Sequence, residues 1–253
     1  MFTISPYKLN MYLECPRHYW WNYINPTTRS KQPVRGYFTT GEHVHNALKN
    51  FMNIIPEKRS KQMLLGMLEY EWQRKNGETA GFRTSEEELE YKERAQRMLS
   101  AFFDREDMTV VPFWASDKLI STGVSETLSF MGKIDRVDEE PDGLHVIDYK
   151  SGKEEREDRW QLPMYAVMAK RYFNKPVARL SYLFLETGTW LSVPANPARE
   201  AWTIAQIEEI VAAMPHAQDR NTWQCPDGEA CTHCNYLREF GINPLGSVSL
   251  LSV

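Results

Sequence analysis

Residues 132–153 read GKIDRVDEEPDGLHVIDYKSGK, and most of the stretch has the pattern of two strands around a tight turn. GKIDRV and GLHVIDYK flank Glu140, Pro141, Asp142 and Gly143, which carry the turn chemistry. Side chains alternate faces along a strand, so Asp148 and Lys150 share a face with Leu144 and Val146, with Tyr149 opposite. That face begins apolar and ends ionic. With the turn centred on Pro141 and Asp142, Asp135 on the partner strand falls opposite or diagonal to Asp148, roughly 5–8 Å away at Cβ. Two carboxylates so placed repel unless a proton or a cation lies between them, and oxygen ligands suit Mg²⁺ or Mn²⁺. Lys150 adds a compact charge suited to orienting a water or stabilising a pentavalent phosphate. A pair of metal-binding carboxylates with a lysine is what phosphodiester hydrolysis requires. The competing reading is an Asp–Lys salt bridge on a surface hairpin, which the three-residue D-x-K pattern alone favours.

The neighbouring sequence shifts that balance. A helix is expected over 156–173, where Gln161 and Tyr165 stand four apart and so share a face. Upstream, Gly41 and His45 form a G-x-x-x-H pattern within GEHVHNALKNFMNII, a segment whose Val44, Leu48, Phe51 and Ile55 predict an amphipathic helix. Helices are also expected across SPYKLNMYLECPRHYWWNYI on both sides of Pro16, at 60–75, from Ser85 and at 203–214. Ser85 with Glu88 reads as a capping box, and Ala95, Met98, Leu99, Phe102 and Phe103 point inward behind it. A polar loop is expected over 25–37. Strands are expected at 117–130, 132–138, 143–150, 178–186 and near 190–193. Helices, a meander, a helix and a further strand predict an α/β domain: a mixed central sheet flanked by helices, after an N-terminal helical region.

Composition excludes some classes. With 42% hydrophobic and 25% charged residues, the 253-residue chain is ordinary for a soluble globular protein. No apolar run is long enough for a bilayer, and MFTISPYKLN lacks a signal peptide's apolar core, so a cytoplasmic protein without a membrane partner is expected. The formal charge of −4 neither suggests nor excludes a nucleic-acid groove, which depends on local charge. The four cysteines, Cys15, Cys225, Cys231 and Cys234, suit a metal better than disulfides in a reducing compartment.

Taken together, SPYKLNMYLECPRHYWWNYI, TGEHVHNAL, GKIDRVD, VIDYKSGK, QLPMYA and the terminal cysteines resemble the RecB-like branch of the PD-(D/E)XK nucleases, which includes the Cas-four-like nucleases. The likeness covers most of the chain and is weakest over 55–120, where the family carries variable insertions. It implies a restriction-endonuclease-like core forming a single nuclease domain over 1–253. It further implies that His45, Asp135 and Asp148, with the backbone carbonyl of Tyr149, are metal ligands, and that Lys150 is the catalytic lysine. Gln161 and Tyr165 match the family's Q-x-x-x-Y motif beside the metal and the DNA backbone. Glu126 is an outer-shell candidate for which a structural role is the stronger reading.

In this branch an early cysteine and three late ones bind a [4Fe–4S] cluster joining the chain ends, which implies that role for Cys15, Cys225, Cys231 and Cys234. Here the longer cysteine gap precedes the C-x-x-C pair, the reverse of the family order. Structural Zn²⁺ therefore stays open, with His233 as a substitute ligand. The expected function is a Mg²⁺- or Mn²⁺-dependent DNA nuclease acting on single strands or duplex ends, with repair or CRISPR adaptation proteins as partners. Two alternatives stand beside it: a DNA-binding or scaffolding subunit that does not cut, and a nuclease acting on RNA.

Overall fold

A computed structural model describes residues 1–25, 34–152, 158–215 and 222–238. They fall into two compact units, Met1–Thr3 with Pro33–Ala205, and Ile4–Gln32 with Gln206–Val253.

In the first unit the hairpin of residues 136–150 organises a four-stranded sheet. Strand β4 (Arg136–Glu140) pairs antiparallel with β5 (Gly143–Lys150), and Glu140 faces Gly143 across a two-residue turn of Pro141 and Asp142. Gly143 has φ of 138°, and a Cβ there would lie 2.7 Å from the carbonyl oxygen of Pro176, so a side chain is excluded. β5 runs parallel to β6 (Val177–Phe184), which pairs antiparallel with β7 (Thr189–Pro194), giving the order β4-β5-β6-β7. Parallel neighbours need a crossover, and α6 (Gln161–Phe173) supplies it. β5 is buried on both faces from Leu144 to Tyr149, as parallel strands under helices are.

A second sheet, ordered β1-β3-β2, holds β1 (Phe2–Ile4), β2 (Ile120–Gly123) and β3 (Leu128–Gly132). The single strand expected over 117–130 is thus a hairpin, broken where the Ser125 hydroxyl accepts the Thr127 N–H at 3.4 Å. The strand expected over 132–138 is also divided. β3 ends at Gly132, β4 begins at Arg136, and Asp135 lies in the short connection between them.

Three helices cover the sheet: α3 (Gly36–Met52), α4 (Lys61–Arg74) and α5 (Ser85–Arg105). Their apolar stripes, including Val44, Leu48, Phe51, Leu64, Leu68, Leu99 and Phe102, form one core with Ile147, Tyr149 and Leu183 of β5 and β6. α3 begins earlier than the periodicity predicted and stops at Met52, leaving Ile55 54% exposed. The cause is Arg59, whose guanidinium donates at 2.8 Å to the carbonyls of Met52 and Ile54 and so takes over the helix end. At α5 the cap lies one residue earlier than expected. Thr84 Oγ1 accepts the Glu87 N–H at 3.1 Å, while Glu88 instead bonds Trp72 Nε1 and the Gly77 N–H. α7 (Pro197–Ala212) starts before the expected 203, because Asn196 Oδ1 accepts the N–H groups of Ala198 and Arg199.

The second unit contains α1 (Pro6–Glu14), α2 (Pro16–Tyr19), a π turn at Trp20–Ile24 and α8 (Thr232–Arg238). Pro16 occupies the first position of α2 and Cys15 its cap, so the proline divides two helices as expected. Met11, Tyr19, Trp20 and Trp223 form its aromatic core, with the rings of Tyr19 and Trp223 stacked at 5.7 Å. Among the described residues no helix is long and apolar enough to cross a membrane.

His145 on β5 gives the fold a pH signature. It is buried, with Nε2 2.7 Å from the Ser181 hydroxyl, and its pKa is lowered to about 4, first by burial and then by the Arg179 charge. Between about 4 and the ordinary 6.5 the unfolded chain binds a proton that the native state refuses, so stability falls as pH drops through this window. Replacing His145 with Gln should flatten that slope relative to the parent in urea unfolding from pH 7 to 4. Parallel pH profiles for the two proteins would contradict the assignment.

Candidate active site and cysteine centre

Four elements of the first unit deliver side chains to one place. The site lies at the carboxyl end of β5, where the buried apolar strand terminates in Asp148 and Lys150. Extending the β4–β5 register one step beyond Arg136 and Ile147 sets Asp135 beside Asp148, as the turn geometry predicted. Asp135 is anchored twice: Oδ1 stands 2.9 Å from His45 Nδ1 on α3, and Oδ2 accepts the Tyr149 N–H at 2.9 Å. In a strand the N–H and C=O of one residue turn toward the same neighbour, so the Tyr149 carbonyl faces the Asp135 edge, while its ring packs in the core against Phe102. Gln161, in the first turn of α6, donates from Nε2 to Asp148 Oδ1 at 2.9 Å and to the Tyr165 hydroxyl at 3.3 Å, and its Oε1 accepts from Lys150. The turn before α6 is held by Asp158 Oδ1, which accepts the N–H groups of Trp160 and Gln161.

Asp148 is 4% exposed, and its pKa is pushed up to about 6 by burial first and by the Asp135 charge, against the pull of Lys150. Lys150 Nζ forms an ion pair with the buried Asp148 Oδ2 at 2.8 Å, so the ammonium is this oxygen's partner. Burial opposes a charge on His45, yet the charge and hydrogen bond of Asp135 outweigh it and raise the imidazole pKa. Lys150 also lies 4.7 Å from the centre of the Tyr182 ring, a cation–π contact that helps hold the ammonium in place. His45, Asp135 and Asp148 supply an imidazole and two carboxylates, donor types that suit a divalent ion such as Mg²⁺ or Mn²⁺, with His45 Nδ1 and Asp135 Oδ1 2.9 Å apart.

These groups open into a cleft of about 940 Å³. At Gly41 a Cβ would come 3.2 Å from Ser151 Oγ, a tight contact that the serine hydroxyl would have to yield to. Sequence reasoning did not single out Lys49, Arg94 and Lys133, which also line the cleft. Lys49 follows His45 by four on α3 and was within reach of the helical periodicity; Arg94 and Lys133 carried no such signal. Glu126 is exposed in the β2–β3 turn and is not among the cleft residues, which leaves its outer-shell role without support.

In the second unit the sulfurs of Cys15, Cys225, Cys231 and Cys234 lie within 4.8 Å of one another, and Cys15, Cys231 and Cys234 are buried. None forms a disulfide. His233 is outside this set; its Nδ1 lies 3.8 Å from Glu14 Oε2. Crowding the thiols favours one thiolate at the expense of the others. The hydrogen bond with Cys234 lowers the Cys15 pKa to about 5 despite burial, whereas Cys234 itself is raised. Four converging, largely buried sulfurs fit a thiolate-ligated metal or cluster.

A model of the PD-(D/E)XK nuclease superfamily matches residues 3–238. No curated protein matches the chain. Among solved structures, a protein from Eubacterium rectale described as "Putative exonuclease" is similar in fold, with a TM-score of 0.54 at 8% identity. The match covers 92% of this chain and 87% of that one.

Gln161 ties the site together, and its removal has a measurable cost. Gln161→Leu takes the donor from Asp148 Oδ1 and the acceptor from Lys150. Urea unfolding in EDTA should show a loss of about 1–3 kcal/mol, the usual penalty for leaving a buried polar group without its partner. Unchanged stability would show that the amide does not support the carboxylate.

Proposed function

This chain belongs to the PD-(D/E)XK nuclease superfamily, and we propose that it is a Mg²⁺- or Mn²⁺-dependent deoxyribonuclease of the RecB-like, Cas-four-like branch, acting as one nuclease domain on single-stranded DNA or duplex ends. The observation that carries this reading is the buried Asp148, ion-paired to Lys150 at 2.8 Å, with the His45–Asp135 pair in the same cleft. Repair or CRISPR adaptation proteins are the partners this branch implies.

His45, Asp135, Asp148 and the Tyr149 carbonyl would hold the divalent ion, which when bound supplies Lewis-acid polarisation of a phosphate oxygen and neutralisation of its charge. The chain's own groups do the positioning. Lys150, gripped by Gln161 and resting on the Tyr182 ring, presents its ammonium to a phosphate oxygen or an attacking water and stabilises the developing negative charge. Gln161 keeps that ammonium and Asp148 in fixed relation, and Tyr165 backs the amide from the next turn of α6. The four cysteines would hold a [4Fe–4S] cluster, or Zn²⁺ in its place, as a structural centre. Retention of His45, Asp135, Asp148 and Lys150 together speaks against a scaffold that no longer cuts.

End-labelled DNA should be degraded with Mn²⁺ or Mg²⁺ and left intact in EDTA, and Lys150→Ala should lower the rate by about 10²–10³ without preventing Mn²⁺ binding. Cleavage in EDTA, or full activity of the variant, would overturn the site assignment. Binding without product under any divalent metal would instead favour the scaffold.

For the cysteine centre, Cys15→Ser should lower the melting temperature and the metal content together, because binding energy at such a centre is folding energy. Analysis of iron, sulfide and zinc in fresh protein separates the two candidates. Neither metal present, with melting unchanged, would remove the centre.

A further inference from the structure

The cleft has an aromatic feature that phosphodiester hydrolysis itself does not use. Tyr37 and Phe38, in the first turn of α3, line it together with Gly41, His45 and Lys49. Tyr37, Gly41, His45 and Lys49 recur every four residues and form one stripe along the helix, with Tyr37 roughly 12 Å from His45 at 1.5 Å of rise per residue. Both rings are open to solvent, Tyr37 at 46% and Phe38 at 53% exposure, tilted 39° to one another with centroids 4.3 Å apart, and the Arg35 guanidinium lies 5.9 Å from the Tyr37 centroid. The backbone beneath them is firmly placed: the Gly36 N–H donates to the Gly81 carbonyl at 2.9 Å, and Thr39 Oγ1 to the Ala80 carbonyl at 2.8 Å. Scattered surface aromatics need no explanation. Two adjacent rings on a fixed helical turn, in the same cleft as the carboxylates, do. Cations line the same cleft: Lys49 pairs with Asp117 at 3.1 Å, and exposed Lys133 feels the charges of Glu42 and Asp117 with no ion pair within 4.0 Å among the described residues.

We propose that Tyr37 and Phe38 are a base-stacking platform that seats the bases of single-stranded nucleic acid in the cleft while Lys49 and Lys133 follow its backbone. The proposal deepens the nuclease reading and rests on it for its catalytic consequence. Rings can stack only on bases whose faces are free, so the platform selects single strands over paired duplex. It is indifferent to sequence, because every base has a π-face.

The test uses the full-length protein and three labelled probes of about 20 nucleotides: a mixed-sequence DNA strand, a wholly abasic strand of the same length, and the blunt duplex of the first. The variants are Tyr37→Ala with Phe38→Ala, and Tyr37→Leu with Phe38→Leu, which keeps apolar bulk without a stacking face. Because the rings are exposed, both variants should melt like the parent. Binding of the intact strand, read by anisotropy in EDTA, should weaken about ten- to a hundredfold in each variant, while duplex binding stays unchanged. The abasic strand should bind the parent and the variants alike. In Mn²⁺ the variants should raise KM for the single strand with little change in kcat. Equal binding of intact and abasic strands by the parent, equal binding of the intact strand by parent and variants, or no binding of any probe would each overturn the platform. The expected binding pattern without product under any divalent metal would uphold the platform and overturn the nuclease reading; product with unaltered KM would do the reverse.

Discussion

Asp148 is a carboxylate taken almost wholly out of water at the end of a strand buried on both faces. Desolvating such a group costs several kcal/mol unless neighbouring charges and donors replace the lost hydration. Much of the surrounding architecture supplies those replacements. The crossover that joins β5 to β6 places Gln161 in the first turn of α6, where its amide reaches both Asp148 and Lys150. The two-residue turn at Pro141 and Asp142 fixes the register, and the register brings Asp135 alongside. Slipping that pairing by one residue would send every side chain of the strand to the opposite face, removing Asp148 from the site and Tyr149 from the core. Lys150 completes the compensation through its ion pair with Oδ2 at 2.8 Å.

Rigid elements hold the remaining groups. His45 stands on α3, whose opposite face buries Val44, Leu48 and Phe51 against α4, α5 and the sheet. An imidazole on a packed helix and a carboxylate at a strand boundary keep their separation without help from a mobile loop, which a metal site needs. The same helix carries the Tyr37–Phe38 pair at its first turn and Lys49 a turn beyond His45. One element therefore aligns an aromatic surface, a candidate ligand and a cation along a single cleft.

The cysteine centre is a second solution to a related problem. Aromatic packing of Met11, Tyr19, Trp20 and Trp223 joins segments from the two ends of the sequence, and four sulfurs gather beside one another in the same unit. A metal or cluster shared by Cys15 and the 225–234 segment would close a very long loop. Such closure reduces the freedom of the unfolded chain, although the entropic gain grows only slowly with loop length.

The sequence alone determined the β4–β5 hairpin, its turn and the pairing of Asp135 with Asp148, because alternation and turn chemistry are local and a two-residue turn leaves little choice of register. It also determined the helix carrying His45 and the Gln161–Tyr165 face, since both follow from a period of 3.6 residues. Tertiary structure decided the rest. α3 ends at Met52 because Arg59, seven residues on, takes its last carbonyl, an interaction no periodicity reports. The strand expected over 117–130 folds back because residues 124–127 turn and Ile120 pairs with Gly132. The Lys150 ammonium is shared between Asp148 and Gln161, an arrangement that only the packing of α6 against the sheet sets. Local pattern names the residues of a site, whereas the direction of a single hydrogen bond depends on elements far apart in the chain.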